Sequence, residues 1–105
     1  MKQIYIDHIA ERLQIKTWQV ENCALMFEEG NTIPFISRYR KEKTGGMDDA
    51  EIAELKHYLD VFEEMETRKA TILKVIEEAG ALTGELRSRI ENSVSSTELE
   101  DLYLP

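Results

Sequence analysis

The sequence predicts an all-α fold, a helix-turn-helix-like bundle of short helices joined to one long helix. Three observations predict it. Apolar residues recur at i, i+3, i+4 and i+7 almost everywhere. Capping and stop residues follow one another closely through the first half of the chain. Neither glycine nor proline interrupts the stretch between Asp48 and Gly80, which reads as one helix of about thirty residues, some 45 Å long.

In chain order, Ile6, Ile9, Ala10 and Leu13 mark the inner face of a first helix. Thr17 is placed to cap a second, whose face is Val20, Cys23, Ala24 and Phe27. Gly30-Asn31 ends it, since both residues tolerate the left-handed conformation. Thr32 caps a third, with Pro34 in the first turn, where a missing N–H costs nothing. Phe35, Ile36 and Tyr39 are expected to anchor it, and Gly45-Gly46 to stop it. Asp48 and Glu51 form a carboxylate variant of the capping box. The long helix then carries Ile52, Leu55, Leu59, Phe62, Glu66, Lys69, Leu73 and Ile76 at alternating spacings of three and four. Its acidic face includes Glu63, Glu64 and Glu66, and Glu64 with Arg68 has the stabilising i, i+4 spacing. Such a helix is too long for so small a chain to bury, so part of it is expected to project or to pack against something absent. Gly80 closes it. Thr83 opens a short helix burying Leu86 and Ile90, and Thr97 with Glu100 caps a final turn. The segments are therefore 1–47, 48–80 and 81–105 of a single domain.

A chain of 105 residues with 42% hydrophobic and 32% charged side chains reads as one soluble domain. No apolar run is long enough to span a membrane, no secretory leader pattern opens the chain, and one cysteine excludes an internal disulfide. A cytoplasmic setting is expected. The net charge of −8 is unlike that of a free-standing nucleic-acid binder. It is unevenly spread: residues 1–30 sum to −2, residues 31–47 to +3 and residues 48–105 to −9. The segment "NTIPFISRYRKEKTGG" is thus a local basic island, and local potential decides where a polyanion sits.

Catalytic chemistry finds no support. Cys23 lies on an apolar helical face, where an inert thiol is the ordinary outcome. His8 and His57 have no partners at metal-ligand spacing, and Asp48, Asp49 and Glu51 are explained by capping. "EKTGG" has the composition of a phosphate loop but not its order. No catalytic, metal or cofactor site is expected, and the chain is not expected to be an enzyme. The candidate contacts are Arg38, Arg40, Lys41 and Lys43, which would meet phosphates of RNA or DNA. The competing reading leaves these four side chains solvated.

"EEGNTIPFISRYRKEKTGGMDDAEI" (28–52) and "KATILKVIEEAGALTGELRSRIENSVSSTELEDLYLP" (69–105) closely resemble the N-terminal region of the Tex family of bacterial transcription accessory proteins. The resemblance covers essentially the whole chain. It implies a piece of a larger protein that continues with a YqgF-like nuclease-related domain, helix-hairpin-helix elements and a C-terminal S1 domain. The apolar ending Leu104-Pro105 is read in the same sense, as a cut. In that family nucleic-acid binding depends chiefly on the S1 domain, and the N-terminal region is helical, with a long helix as scaffold. No catalytic residue carries over. The implied role is non-catalytic: scaffolding nucleic-acid-binding domains and assisting RNA or DNA binding in transcription, with little or no binding by the chain alone. The alternative is an interaction module whose basic segment docks a neighbouring domain or the transcription machinery without touching nucleic acid.

Overall fold

The computed structural model describes residues 1–104; Pro105, the last residue of the "TELEDLYLP" ending, lies outside them. Seven helices and no strand occur among the described residues: α1 Gln3–Leu13, α2 Thr17–Glu28, α3 Ile33–Tyr39, α4 Lys41–Thr44, α5 Asp49–Glu78, α6 Gly84–Glu91 and α7 Ser96–Tyr103. The fold is all-α and α5 is the expected thirty-residue helix. The chain divides into two compact units, Met1–Asp60 and Val61–Pro105, and the boundary falls inside α5.

In the first unit α1 packs on α2, and α4 on α2 and α3. Its buried apolar side chains are Tyr5, Ile6, Ile9, Ala10, Val20, Cys23, Met26, Ile36, Met47, Ile52, Leu55 and Leu59. The faces of α1 and α2 differ from expectation by single positions. Tyr5 is fully buried and Leu13 only half, because the face runs one turn further towards the N-terminus. Met26 is buried, while Ala24 and Phe27 are half-covered. Thr17 is already helical: the N-cap is Lys16, whose N–H donates to Gln19 Oε1 at 2.8 Å. Gly30 behaves as expected. It sits at φ +88°, with Gly30 N–H on the Phe27 carbonyl and Asn31 N–H on that of Met26, the paired bonds of a Schellman motif. Gln14 closes α1 the same way at φ +56°, and its Nε2 donates to the Glu11 carbonyl at 2.7 Å.

Thr32 Oγ1 accepts from Phe35 N–H at 3.3 Å, the predicted cap. One helix was expected to run from there to the double glycine; the chain instead breaks at Arg40 (φ −131°, ψ 39°) and restarts as α4. The cause is tertiary. Gln19 Nε2 donates to the Thr44 carbonyl at 2.6 Å and Asn22 Nδ2 to the Lys43 carbonyl at 3.0 Å, so side chains of α2 hold the end of α4. The Asp48–Glu51 capping box forms as predicted, at 2.8 and 3.2 Å, and Ser37 Oγ donates to Asp49 Oδ1.

The second unit buries Phe62, Met65, Lys69, Ile72, Ile76, Ile90, Ser93 and Leu99, with α6 against α7. The predicted seam needs correction at two positions, since Met65 and Ile72 are buried where Glu66 and Leu73 were expected. The stripe slips back by one residue there, which removes a carboxylate from the seam. Lys69 stays in it, 2% exposed, and donates to the carbonyls of Glu91 (3.0 Å) and Ser93 (2.6 Å). Buried side chains continue along α5 as far as Ile76, so the seam is covered by the chain itself over most of its length. Gly80 (φ +71°) ends α5 in a Schellman motif and Thr83 caps α6. Leu86 is half-covered rather than buried. Ser95, not Thr97, caps α7 by accepting from Glu98 N–H.

Glu100 is consequently free of the box proposed for it, and Arg68 is not paired with Glu64. The two meet each other, Nε to Oε1 at 2.8 Å and Nη2 to Oε2 at 3.1 Å, with the guanidinium 5.2 Å from the Tyr103 ring centre. The hydrogen bond from Arg68 holds the Glu100 carboxyl below its ordinary pKa, and the same bond raises that of Arg68.

Two expectations follow. Lys69→Met keeps most of the buried volume but leaves the Glu91 and Ser93 carbonyls without their donor, and should cost about 3 kcal/mol. Urea denaturation checks it; an unchanged midpoint would mean that the carbonyls find other donors. Because Glu100 is depressed in the fold, its pairing adds stability above the ordinary carboxylate pKa and loses it as pH falls through the lower folded value. Thermal melts from pH 6 to 2 at low salt should show the small advantage over Glu100→Gln vanishing at the acid end.

Candidate nucleic-acid interface

The basic island spans the end of α3 and all of α4, and its chemistry begins with how that kinked pair is held. Thr44 is fully buried. Its Oγ1 accepts from Gly46 N–H and Met47 N–H, both at 3.2 Å, and donates to the Lys41 carbonyl at 3.4 Å. Gly45 and Gly46 follow at φ +72° and +89°. A Cβ on Gly45 would lie 2.7 Å from Gln19 Nε2 and 3.3 Å from the Trp18 ring, whereas one on Gly46 would meet nothing. "TGG" is therefore a structural clasp, and the bond of Gln19 to Thr44 passes through the space a side chain at 45 would need.

The clasp leaves all four predicted cations on the surface. Arg38 lies in the last turn of α3, Arg40 at the break, Lys41 and Lys43 on α4. The side chains of Arg38, Lys41 and Lys43 make no ion pair or hydrogen bond to another described residue. Arg40 is engaged: its Nη1 donates to the Tyr39 carbonyl at 2.9 Å and its guanidinium sits 5.1 Å from the Phe35 ring centre. Arg38 and Lys41 line one open depression with Ser37, Met47, Asp48 and Asp49. Arg40 and Lys43 do not line it.

The aromatic part of the island departs from expectation. Ile36 is the buried anchor and Phe35 is half-covered, but Tyr39 is 62% exposed. Phe35 and Tyr39 are four apart in sequence and share a face adjacent to that of Ile36, their ring centres 5.3 Å apart. That i, i+4 relation was the signal available in the sequence, outweighed there by the i, i+3 pairing of Tyr39 with Ile36.

The other candidates stand as follows. Cys23 is fully buried, and burial pushes its thiol up to about 11, far from a reactive thiolate at neutral pH. His57 is exposed and packs edge-on against Tyr58. Among the described residues no three His, Cys, Asp or Glu side chains gather as a metal site, and no helix is long and apolar enough to cross a membrane.

Comparison with known proteins gives this arrangement a context. Residues 3–77 match the family described as the Tex-like protein N-terminal domain. The chain is 48% identical over 105 residues to protein YhgF of Escherichia coli K12, covering all of this chain and 14% of that protein. It is 45% identical over 97 residues to the transcriptional accessory protein Tex of Neisseria gonorrhoeae, covering 92% of this chain and 13% of the relative. A human relative, S1 RNA-binding domain-containing protein 1, is 29% identical over 100 residues, covering 95% and 10%. The chain thus spans 10–14% of the length of these relatives.

The clasp makes a paired prediction. Gly46→Ala should cost about 1 kcal/mol for its backbone alone. Gly45→Ala should cost at least about 2 kcal/mol, because it also displaces Gln19 from the Thr44 carbonyl. Equal losses in chemical denaturation would show that the Gln19 contact contributes nothing.

Proposed function

The chain belongs to the Tex-like protein N-terminal domain family, and we propose that it serves as a non-catalytic helical domain of a transcription accessory protein, with α3–α4 as an assisting contact for RNA or DNA. The observation that carries the nucleic-acid part is the trio Arg38, Lys41 and Lys43, exposed and without partners in a chain of net charge −8. An acidic protein that keeps cations unpaired on a small kinked element has charge available for phosphate oxygens. The family supplies the setting, since one relative is named a transcriptional accessory protein and another for an S1 RNA-binding domain. Scaffolding by the unbroken α5, organising nucleic-acid-binding domains elsewhere in the protein, and a cytoplasmic location belong to the same reading.

A second reading has an observation of its own. Arg38 and Lys41 share their depression with Asp48 and Asp49, a mixed-sign surface better suited to a protein partner or neighbouring domain than to a polyanion.

Replacing Arg38, Arg40, Lys41 and Lys43 together by Glu separates the two. Under the nucleic-acid reading, affinity of the protein for RNA or DNA falls, and the slope of log K against log salt shallows by about 0.7–0.9 for each phosphate contact removed. Unchanged affinity and slope in an anisotropy titration, with loss of a protein contact instead, would establish the docking role.

A further inference from the structure

Tyr39 poses a problem that phosphate contacts do not solve. A large aromatic ring, 62% exposed, stands in the middle of the most basic segment of the chain. Its neighbour Ile36 takes the core position and the ring stays out. It is also backed. Phe35 lies behind it at 5.3 Å, tilted by 49°, and the Arg40 guanidinium covers Phe35 at 5.1 Å. Arg40 is fixed in turn by its bond to the Tyr39 carbonyl. The three side chains form a braced unit of two rings and one planar cation, with Tyr39 the exposed ring.

Around this unit the free cations divide by place. Arg38 precedes Tyr39 and faces the depression with Lys41, while Lys43 stands on α4 beyond it. Glu42 is the one anion within the segment 31–47, and it is solvent-exposed. Exposed aromatic rings interleaved with Lys and Arg are what an unpaired strand needs: cations track the backbone while bases stack on the ring faces. A duplex keeps its base faces covered and can offer Tyr39 only edges and sugars.

We infer that the Tyr39 ring is a stacking platform for an unpaired base, so that α3–α4 takes single-stranded rather than duplex nucleic acid. This rests on the nucleic-acid reading given above and names its substrate class. Arg40 acts in it as a positioning residue that stiffens the platform through Phe35, and Arg38, Lys41 and Lys43 supply the phosphate contacts. Stacking does not distinguish ribose from deoxyribose, so RNA and DNA strands are both accepted.

The test titrates the protein at low salt with fluorescein-labelled oligouridylate, oligodeoxythymidylate and a DNA duplex of equal length. Tyr39 is exposed, so its variants should keep the wild-type circular dichroism melt, which is recorded for each. Tyr39→Ala should weaken both single strands about tenfold and leave the duplex unchanged, with Tyr39→Phe close to wild type. The double variant Lys41→Gln, Lys43→Gln should weaken all three probes and shallow the salt slope. If Tyr39→Ala binds as wild type while the lysine variant loses affinity, the platform is overturned and the phosphate reading survives. Equal losses on strand and duplex would overturn the single-strand assignment. All titrations use the full-length protein that contains this domain; if neither variant changes its binding, the underlying reading fails and the platform with it.

Discussion

An α-helix leaves its last four carbonyls and first four N–H groups without partners. This chain places seven helices, hence fourteen ends, in 104 described residues, so it meets that demand about every seven residues. How the ends are satisfied decides the architecture. Some solutions are local: Thr32, Thr83 and Ser95 cap α3, α6 and α7, and Gly30 and Gly80 close α2 and α5. Others reach across the sequence and so become tertiary structure. Gln19 and Asn22 serve the carbonyls at the end of α4, and Lys69 serves those of Glu91 and Ser93 where α6 ends. A four-residue helix such as α4 cannot hold itself together in water. It exists because α2 completes it.

That division explains what the sequence made legible. Local caps have local signatures, so Thr32, Thr83, the Asp48–Glu51 box and the glycine stops could be read directly, and so could the uninterrupted α5. Long-range satisfaction has none. Nothing near Arg40 announces a break, because the side chains that cause it sit at 19 and 22. Glu64 looked like the partner of Arg68 because i, i+4 spacing is visible, whereas a carboxylate thirty-two residues away is not. The one-residue slip of the α5 seam has the same origin. Periodicity admits either Glu66 or Met65 at that point, and burial chose the side chain that does not have to be desolvated as an ion. Lys69 remained in the seam because its amine reaches carbonyls that need a donor.

The candidate site was legible in its charges and not in its aromatics. Arg38, Arg40, Lys41 and Lys43 are all exposed, as cations at the end of a short helix are bound to be in so small a structure. Tyr39 was assigned to packing from its spacing to Ile36. A seven-residue helix has room for one buried anchor, however, and Ile36 fills it. The surplus apolar residues then cover each other, Phe35 under Tyr39 and Arg40.

The segment from Asn31 to Gly46 therefore separates into parts that different pressures hold in place. Thr32 and Pro34 start the element, and Thr44, Gly45 and Gly46 clasp its end to α2; those residues answer to backbone satisfaction and to the space beside Gln19. Between them Arg38, Lys41 and Lys43 answer to no such demand, while Arg40 serves the Tyr39 carbonyl. Ion pairs were within reach of a chain with twenty-one carboxylates, yet Arg38, Lys41 and Lys43 are left out of them. At physiological salt charges more than about 8 Å apart are largely screened, so the anions that weigh on this patch are the near ones: Glu42 within it, and Asp48 and Asp49, which share the depression with Arg38 and Lys41. Folding accounts for the clasp; the exposed cations and ring are what it leaves available for the proposed contact.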